Sequence, residues 1–422
     1  MLAIDSIRGR TILDSRGWPT VEVTLRLADG SAFTGSAPAG ASTGQHEAVE
    51  LRDGGRAFSG RGVRKAIALI DSEIDELLRS RPWQNLRGVD AALGVLDGGS
   101  DYRRLGANAV VATSIVVARA FAAQEGTPLH AWIAAETSST ELLPVPHFNV
   151  LNGGAHASNG LDFQEFMIAP VGAANEEHAV ETGAEIYHAL AGLVHERYGS
   201  SGLGDEGGFA PAVGDPRMVL DLIVEAISAA GYTPGVDQVA IALDPAANGF
   251  FIGDGRYHVN GRELGRDELV DYYVDLVASY PIRSIEDGFA EDDLPGWVEM
   301  FEATGERIQL VGDDLYVTDP ARIRDGAEHR YSNAALIKPN QIGTVTETFD
   351  AIAAARENGM ECMISHRSGE TADTFIADLA VGTGVGQIKS GAPARGERVA
   401  KYNRLAEIEL DNPTLPFGLV VP

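Results

Sequence analysis

Six apolar runs of four or five residues recur through the second half of the chain, separated by amphipathic stretches of helical period. They are VAIAL (239–243), IRSI (282–285), IQLV (308–311), AALI (334–337), ECMIS (361–365) and VGQI (385–388). Runs this short and this apolar suit strands buried on both faces, and helical spacers supply the crossovers that parallel strands require. Two earlier segments, PHFNVLN (146–152) and FQEFMIAP (163–170), add strands to the count. Eight strands with such spacers match a closed α/β barrel, which typically takes about 250 residues. An open doubly wound sheet is the alternative. No glycine fingerprint follows a first strand, which argues against a dinucleotide-binding fold.

The pattern ahead of this rhythm is different. PTVEVTLRL (19–27) alternates with period two, Asp29-Gly30 is a hairpin signal, and SAFTGSA (31–37) follows, so an antiparallel meander is expected. Residues 63–80, 87–97 and 107–124 read as helices. In the later half, Asp215-Pro216 opens a helix, and Thr344 with Glu347 forms a capping-box pattern. The polar stretch AETSSTELL (135–143) marks a boundary. The expectation is an N-terminal α+β domain over 1–135 and a catalytic barrel over 140–422, with a mobile glycine-rich loop, PAGASTGQHE, at 38–47.

Charge narrows the function. The net charge of −28 disfavours nucleic acid and anionic membranes as partners, and an anionic substrate would need local cations. Cys362 is the sole cysteine, which excludes an internal disulfide and fits a reducing cytoplasm. The opening MLAIDSIRGR has no apolar signal core. The apolar stretch 107–123 is interrupted by Asn108, Thr113, Ser114 and Arg119 and reads as a buried helix.

The residues that end the six runs form a pattern of their own. They are, in order, Asp244, Glu286, Asp313, Lys338, His366-Arg367-Ser368 and Lys389. In a barrel such residues gather on the C-terminal face, where active sites of this architecture lie. Singly, each acid reads as a helix cap, an arginine partner or a solvated turn. Three in sequence suit a hard cation that prefers oxygen, with Mg²⁺ the leading candidate. No HExxH motif and no Cys/His cluster supports zinc.

The lysines sharpen this. Only four occur among 33 basic residues: Lys65, Lys338, Lys389 and Lys401. Arginine replaces lysine wherever a solvated charge suffices, but not where a proton must be given up. Lys338 near a second ammonium, Lys389, is expected to have a lowered pKa and to act as a general base. The bland alternative is a salt bridge from Lys338 to Asp313 or Glu286. Bound Mg²⁺ would neutralise a substrate carboxylate and stabilise the enediolate left by α-proton removal. Glu206, between glycines in GDEGGFAP, and Glu165, beside Gln164 in FQEFMI, are both candidates for a general acid facing Lys338. His156, in NGGAHASN, is either an exposed loop histidine or a ligand contact. Lys65 and Lys401 sit in helix-like contexts with no special chemistry.

These segments together resemble enolase. The matching stretches include DSRGWPTVEV, PAGASTGQHEAVELRDGG, LPVPHFNVLNGGAHASN, GLGDEGGFAP, ALDPAA, SIEDGF, VGDDLYVT, LIKPNQIGT, ISHRSGETADTFIADLAVG and GQIKSGAPARGERVAKYN, in order along nearly the whole chain. The resemblance implies an enolase-type modified TIM barrel, its first hairpin departing from strict βα alternation, with a smaller N-terminal α+β domain. It implies dehydration of 2-phosphoglycerate to phosphoenolpyruvate, the phosphopyruvate hydratase reaction of glycolysis. It makes Asp244, Glu286 and Asp313 the ligands of a first Mg²⁺, and Ser42, in the mobile loop, a ligand of a second. Lys338 then takes the C2 proton, and Glu206 assists departure of the C3 hydroxyl with Glu165 beside it. Lys389 contacts the substrate carboxylate, Arg367 and Ser368 take the phosphate, and His366, His156 and Gln164 lie close by.

The chain departs from the family's usual pattern at several points. Trp18 stands for asparagine, Ala39 and Gly396 for serine, Gly288 for proline and Pro339 for valine. Glu407 stands for the arginine that usually meets, across a dimer, the glutamate matching Glu22. A homo-oligomer is expected from the family, with like charges at that contact. Enolase-like proteins also occur in phosphonate and phosphinate biosynthesis, such as carboxyphosphonoenolpyruvate synthase, which makes a phosphonate-type substrate the alternative. A non-catalytic binding protein of this family would show damage at Lys338, Glu206 or the metal acids, and none is damaged.

Overall fold

The computed structural model describes residues 1–40 and 44–420. Its first three strands, Ile4–Leu13, Pro19–Leu27 and Ala32–Ser36, form the expected antiparallel meander. The second strand buries Val21, Val23 and Leu25 on one face, which follows from its period-two pattern. Helix Ala107–Gln124 lies on that face and is buried along most of its length. It approaches closely because Gly35 carries no side chain: a Cβ there would sit 2.6 Å from the Ala112 carbonyl oxygen. The stretch read as one helix over 63–80 is continuous, Arg64 to Arg79, but contains a π-helical turn at Ile70–Ile74. That turn lets Asp71 and Asp75 accept the backbone N–H groups of Gly9 and Ile7, both at 2.8 Å.

The barrel follows. Its eight strands, in chain order, are Val145–Asn152, Glu165–Pro170, Val239–Asp244, Ile282–Glu286, Gln309–Gly312, Ala334–Ile337, Glu361–Ser365 and Gln387–Lys389. Neighbours in sequence pair with one another, and the eighth closes on the first with Lys389 opposite His147. The last six run parallel with helical crossovers, as the apolar runs require. The second strand is antiparallel to both its neighbours. This reversal brings Glu165, its first residue, level with Asp244, the last residue of the third strand. An N-terminal strand residue therefore shares the rim with the C-terminal ends of the others. Helix caps follow the sequence signals: Asp215 caps Pro216–Ala229, and Thr344 caps Val345–Glu357.

Candidate active site

Nearly every predicted site residue lines one buried cavity at this rim. His156, Gln164, Glu165, Glu206, Asp244, Asp313, Lys338, His366, Arg367, Ser368 and Lys389 face it, joined by Gly40, Glu47 and Asp314. Glu286 lies behind Lys389 and touches its ammonium. Ser42 lies outside the described residues.

Barrel order sorts the charges. The third and fourth strands end in Asp244 and Glu286, and Asp313 directly follows the fifth, Gln309–Gly312. The sixth, seventh and eighth deliver Lys338, the His366–Ser368 segment and Lys389. Lys338 follows the sixth strand and Glu165 opens the second, four strands apart in a ring of eight, so they lie across the barrel from each other. Glu206 enters from a loop on the Glu165 side, where Asn149 of the first strand donates to it at 2.9 Å. One acidic pair thus faces one lysine.

Ion pairs hold this arrangement. Lys389 Nζ lies 2.9 Å from both Glu286 oxygens, 3.1 Å from Asp244 Oδ2 and 3.2 Å from Glu165 Oε2. Burial would lower its pKa, but Asp244, Glu165 and Glu286 outweigh that and hold it well above the usual lysine value. Lys338 Nζ lies 2.5 Å from Asp313 Oδ2. This corrects the expectation of a depressed lysine. Burial, Arg367 and Lys389 do push Lys338 down, but Asp313 overrides them and raises it. The salt bridge offered as the bland alternative is the contact present.

The two glutamates split in opposite directions. Burial pushes Glu165 well up, reinforced by Glu206. Burial also pushes Glu206 up, but His366 and His156 outweigh it and hold the carboxyl well below the usual range. Oxygens of the two, and a His156 ring nitrogen, lie within 4.8 Å of one another. The pair is thus pushed apart, Glu165 towards its protonated form and Glu206 towards its ionised form. His156, 6% exposed, is a buried site histidine and not a loop ornament.

The lining carries six carboxylates, namely Glu47, Glu165, Glu206, Asp244, Asp313 and Asp314, against Lys338, Arg367 and Lys389 as fixed cations. Glu286 is raised well above its usual value by burial and then by Asp244. Such a set lacks positive charge, and its donors are oxygen. The carboxylates of Asp287, Asp313 and Asp314 gather closely enough to hold a hard divalent cation, whereas Asp244 and Glu286 are joined by the Lys389 ammonium.

Residues over both domains match known families. A family model described as the enolase N-terminal domain matches residues 4–133, and one described as the enolase C-terminal TIM barrel domain matches residues 140–413. The chain belongs to the enolase family. It is an enolase-like lyase in fold and in the make-up of its acidic site.

The departures from the enolase pattern have local explanations. Pro339 is the first residue of the short helix Pro339–Ile342, where an N–H has no intrahelical acceptor. Lys338 before it is extended, and its backbone is fixed by Thr318 Oγ1 at 2.9 Å and by Gln341 N at 2.9 Å. Gly288 packs where a Cβ would meet Met300 Sδ at 2.9 Å. Trp18 lies under the Arg61 guanidinium, 4.5 Å from the ring centroid. Glu407 pairs with Arg404 at 2.6 Å, and Glu22 pairs with Arg10 at 2.5 Å, so each of these acids has a cation within its own chain. Nothing in the structure explains Ala39 or Gly396.

Several supporting residues escaped the sequence reading. Glu47 binds the Arg367 guanidinium with two contacts, 2.9 and 3.1 Å. Asp287, at φ 42°, accepts the backbone N–H groups of Asp313 and Asp314, both at 2.9 Å, and so sets the turn that presents them. Gln341 donates to Asp313 Oδ1 at 2.9 Å. Lys401 is fully buried, with Glu370 Oε2 at 2.9 Å and the carbonyls of Thr371 and Glu397 at 2.6 and 2.8 Å. Its scarcity as a lysine was the one available signal, and its helical context hid it.

Proposed function

We propose that this enolase-family chain is a Mg²⁺-dependent phosphopyruvate hydratase, converting 2-phosphoglycerate to phosphoenolpyruvate and water. The observation that carries the reading is the placement of Lys338 across the barrel from the Glu165–Glu206 pair, with the carboxylate arc on one flank and the cationic arc on the other. An elimination needs a base and an acid on opposite sides of the carbon–carbon bond that becomes double. Lys338 takes the C2 proton. Glu206, with the proton that Glu165 holds beside it, protonates the departing C3 hydroxyl. The electrons of the C2–H bond form the new double bond, and the C3–O bond breaks.

Asp244, Glu286 and Asp313 are the residues that would hold Mg²⁺. When bound, the cation neutralises the substrate carboxylate and supports the charge that builds on it as the proton leaves. Lys389 contributes a fixed positive charge at the same carboxylate. Arg367 and Ser368 receive the phosphate, with His366 and His156 near it. Lys338 must be released from Asp313 and lose its proton before it can act.

The test is phosphoenolpyruvate formation from 2-phosphoglycerate with Mg²⁺, with and without EDTA. Turnover that disappears with EDTA and returns with excess Mg²⁺ supports the reading. Near-zero turnover in correctly folded protein sinks it and moves the same enolate chemistry to a phosphonate-type substrate.

A further inference from the structure

The segment that carries His366, Arg367 and Ser368 is held from behind by the C-terminal helix Gly396–Asp411. Arg398, on the first turn of that helix, is fully buried. Its Nη1 lies 2.6 Å from His366 Nδ1 and 2.6 Å from the Arg367 carbonyl. Its Nη2 reaches the carbonyls of Ser368 at 2.7 Å and Asp205 at 3.1 Å, and Ser15 Oγ at 3.2 Å. One guanidinium therefore joins the histidine's segment to the backbone beside Glu206.

The chemistry of this contact has one solution. A guanidinium only donates and stays charged. His366 Nδ1 must then accept, and a neutral ring carries its proton on Nε2. The ring is neutral: burial pushes its pKa down to about 4, and Arg398 adds to that against the pull of Glu206. Nε2 lies 3.1 Å from Glu206 Oε2, off the hydrogen-bond axis, with no aligned partner among the described residues.

We propose that Arg398 is a positioning residue that locks His366 as the Nε2–H tautomer, on the nitrogen that lies 3.1 Å from Glu206. Arg398 does not touch substrate. It decides which nitrogen of His366 can donate into the site, and it spaces the Glu206 loop against the 366–368 segment. The catalytic consequence rests on the hydratase reading. The tautomer does not.

The experiment is a long-range proton–nitrogen correlation spectrum of the full chain labelled with ¹⁵N-histidine. The His366 signals are identified by their loss in His366→Asn. The expected pattern is a protonated Nε2 and a bare Nδ1. A proton on Nδ1 in the unsubstituted protein overturns the proposal. In Arg398→Met the fixed tautomer should give way to a mixture, and kcat should fall by about 100-fold while KM moves little. Arg398→Lys, which keeps a donor, should restore the Nε2–H pattern and part of kcat. An unchanged tautomer in folded Arg398→Met overturns the proposal. If Arg398→Met does not fold, the spectra of the unsubstituted protein and of Arg398→Lys decide. Absent turnover of 2-phosphoglycerate with the expected tautomer counts against the hydratase reading and not against this one.

Discussion

Lys338 and Asp313 form a buried ion pair, Nζ to Oδ2 at 2.5 Å, across the ends of adjacent barrel strands. Asp313 thereby holds the ammonium protonated, so the group that must act as base starts in the wrong state. Lys338→Arg preserves the positive charge beside Asp313 but cannot present a neutral nitrogen. This variant should lose exchange of the C2 proton of 2-phosphoglycerate with solvent deuterium by about 10²–10⁴-fold. Mg²⁺ binding, followed by calorimetry, should stay within a few-fold. Exchange at the unsubstituted rate would refute the base assignment.

Glu286 gives Lys389 its two shortest contacts, while Asp244 and Glu165 complete the ring around the same ammonium. Glu286→Gln keeps the shape and removes one charge. Lys389 keeps two carboxylates and stays buried in an ion pair, so folding should survive. The cation site loses a third of its proposed anionic ligands, and Mg²⁺ affinity should fall by at least about 10-fold, read by calorimetry. Unaltered affinity would remove Glu286 from the metal set.

The opposed glutamates offer a way to separate proton abstraction from dehydration. Glu206→Gln removes the acid from the C3 side and leaves Lys338 untouched on the far wall. Deuterium should still enter at C2, while phosphoenolpyruvate formation falls by about 10²-fold or more. Lys338→Arg should lose both. Equal loss of exchange and product in Glu206→Gln would mean that this glutamate does not serve the leaving hydroxyl alone.

Much of the rim was readable because strand ends are periodic. Asp244, Glu286, Asp313, Lys338 and Lys389 each close an apolar run, and a barrel leaves such residues one place to go. Glu165 was not placeable in that way. It opens its strand, and only the reversed direction of that strand brings it level with Asp244. Periodicity reports burial and carries no strand direction. Glu47 reaches Arg367 from 320 residues away, a contact with no local signature. Arg398 was hidden by abundance, since one arginine among 29 (33 basic residues less four lysines) does not stand out. The protonation of Lys338 was misjudged because the Lys389 charge was given more weight than the salt bridge to Asp313, which is the nearer contact.

Asp90 gives a test that is independent of catalysis. It lies buried on helix Leu86–Asp97, and its Oδ2 accepts the Thr346 N–H at 3.1 Å, tying that helix to the start of Val345–Glu357. Its Oδ1 has no hydrogen-bond partner among the described residues. Burial raises its pKa to about 6, against the pull of the Thr346 and Ser114 hydrogen bonds. An unfolded aspartate titrates near 3.9. The folded protein therefore holds this proton more tightly, and the unfolded chain binds fewer protons between about pH 4 and pH 6. Stability contributed by Asp90 is greatest below about pH 4, falls as pH rises through that window, and is lost above it. Asp90→Asn keeps an acceptor for Thr346 and carries no charge. It should stabilise the protein at pH 8 by on the order of 2 kcal/mol, or a few degrees in Tm, and give no gain at pH 4. Thermal melts at the two pH values check this. An equal gain at both, or a loss at pH 8, would show that the buried carboxyl carries no such penalty.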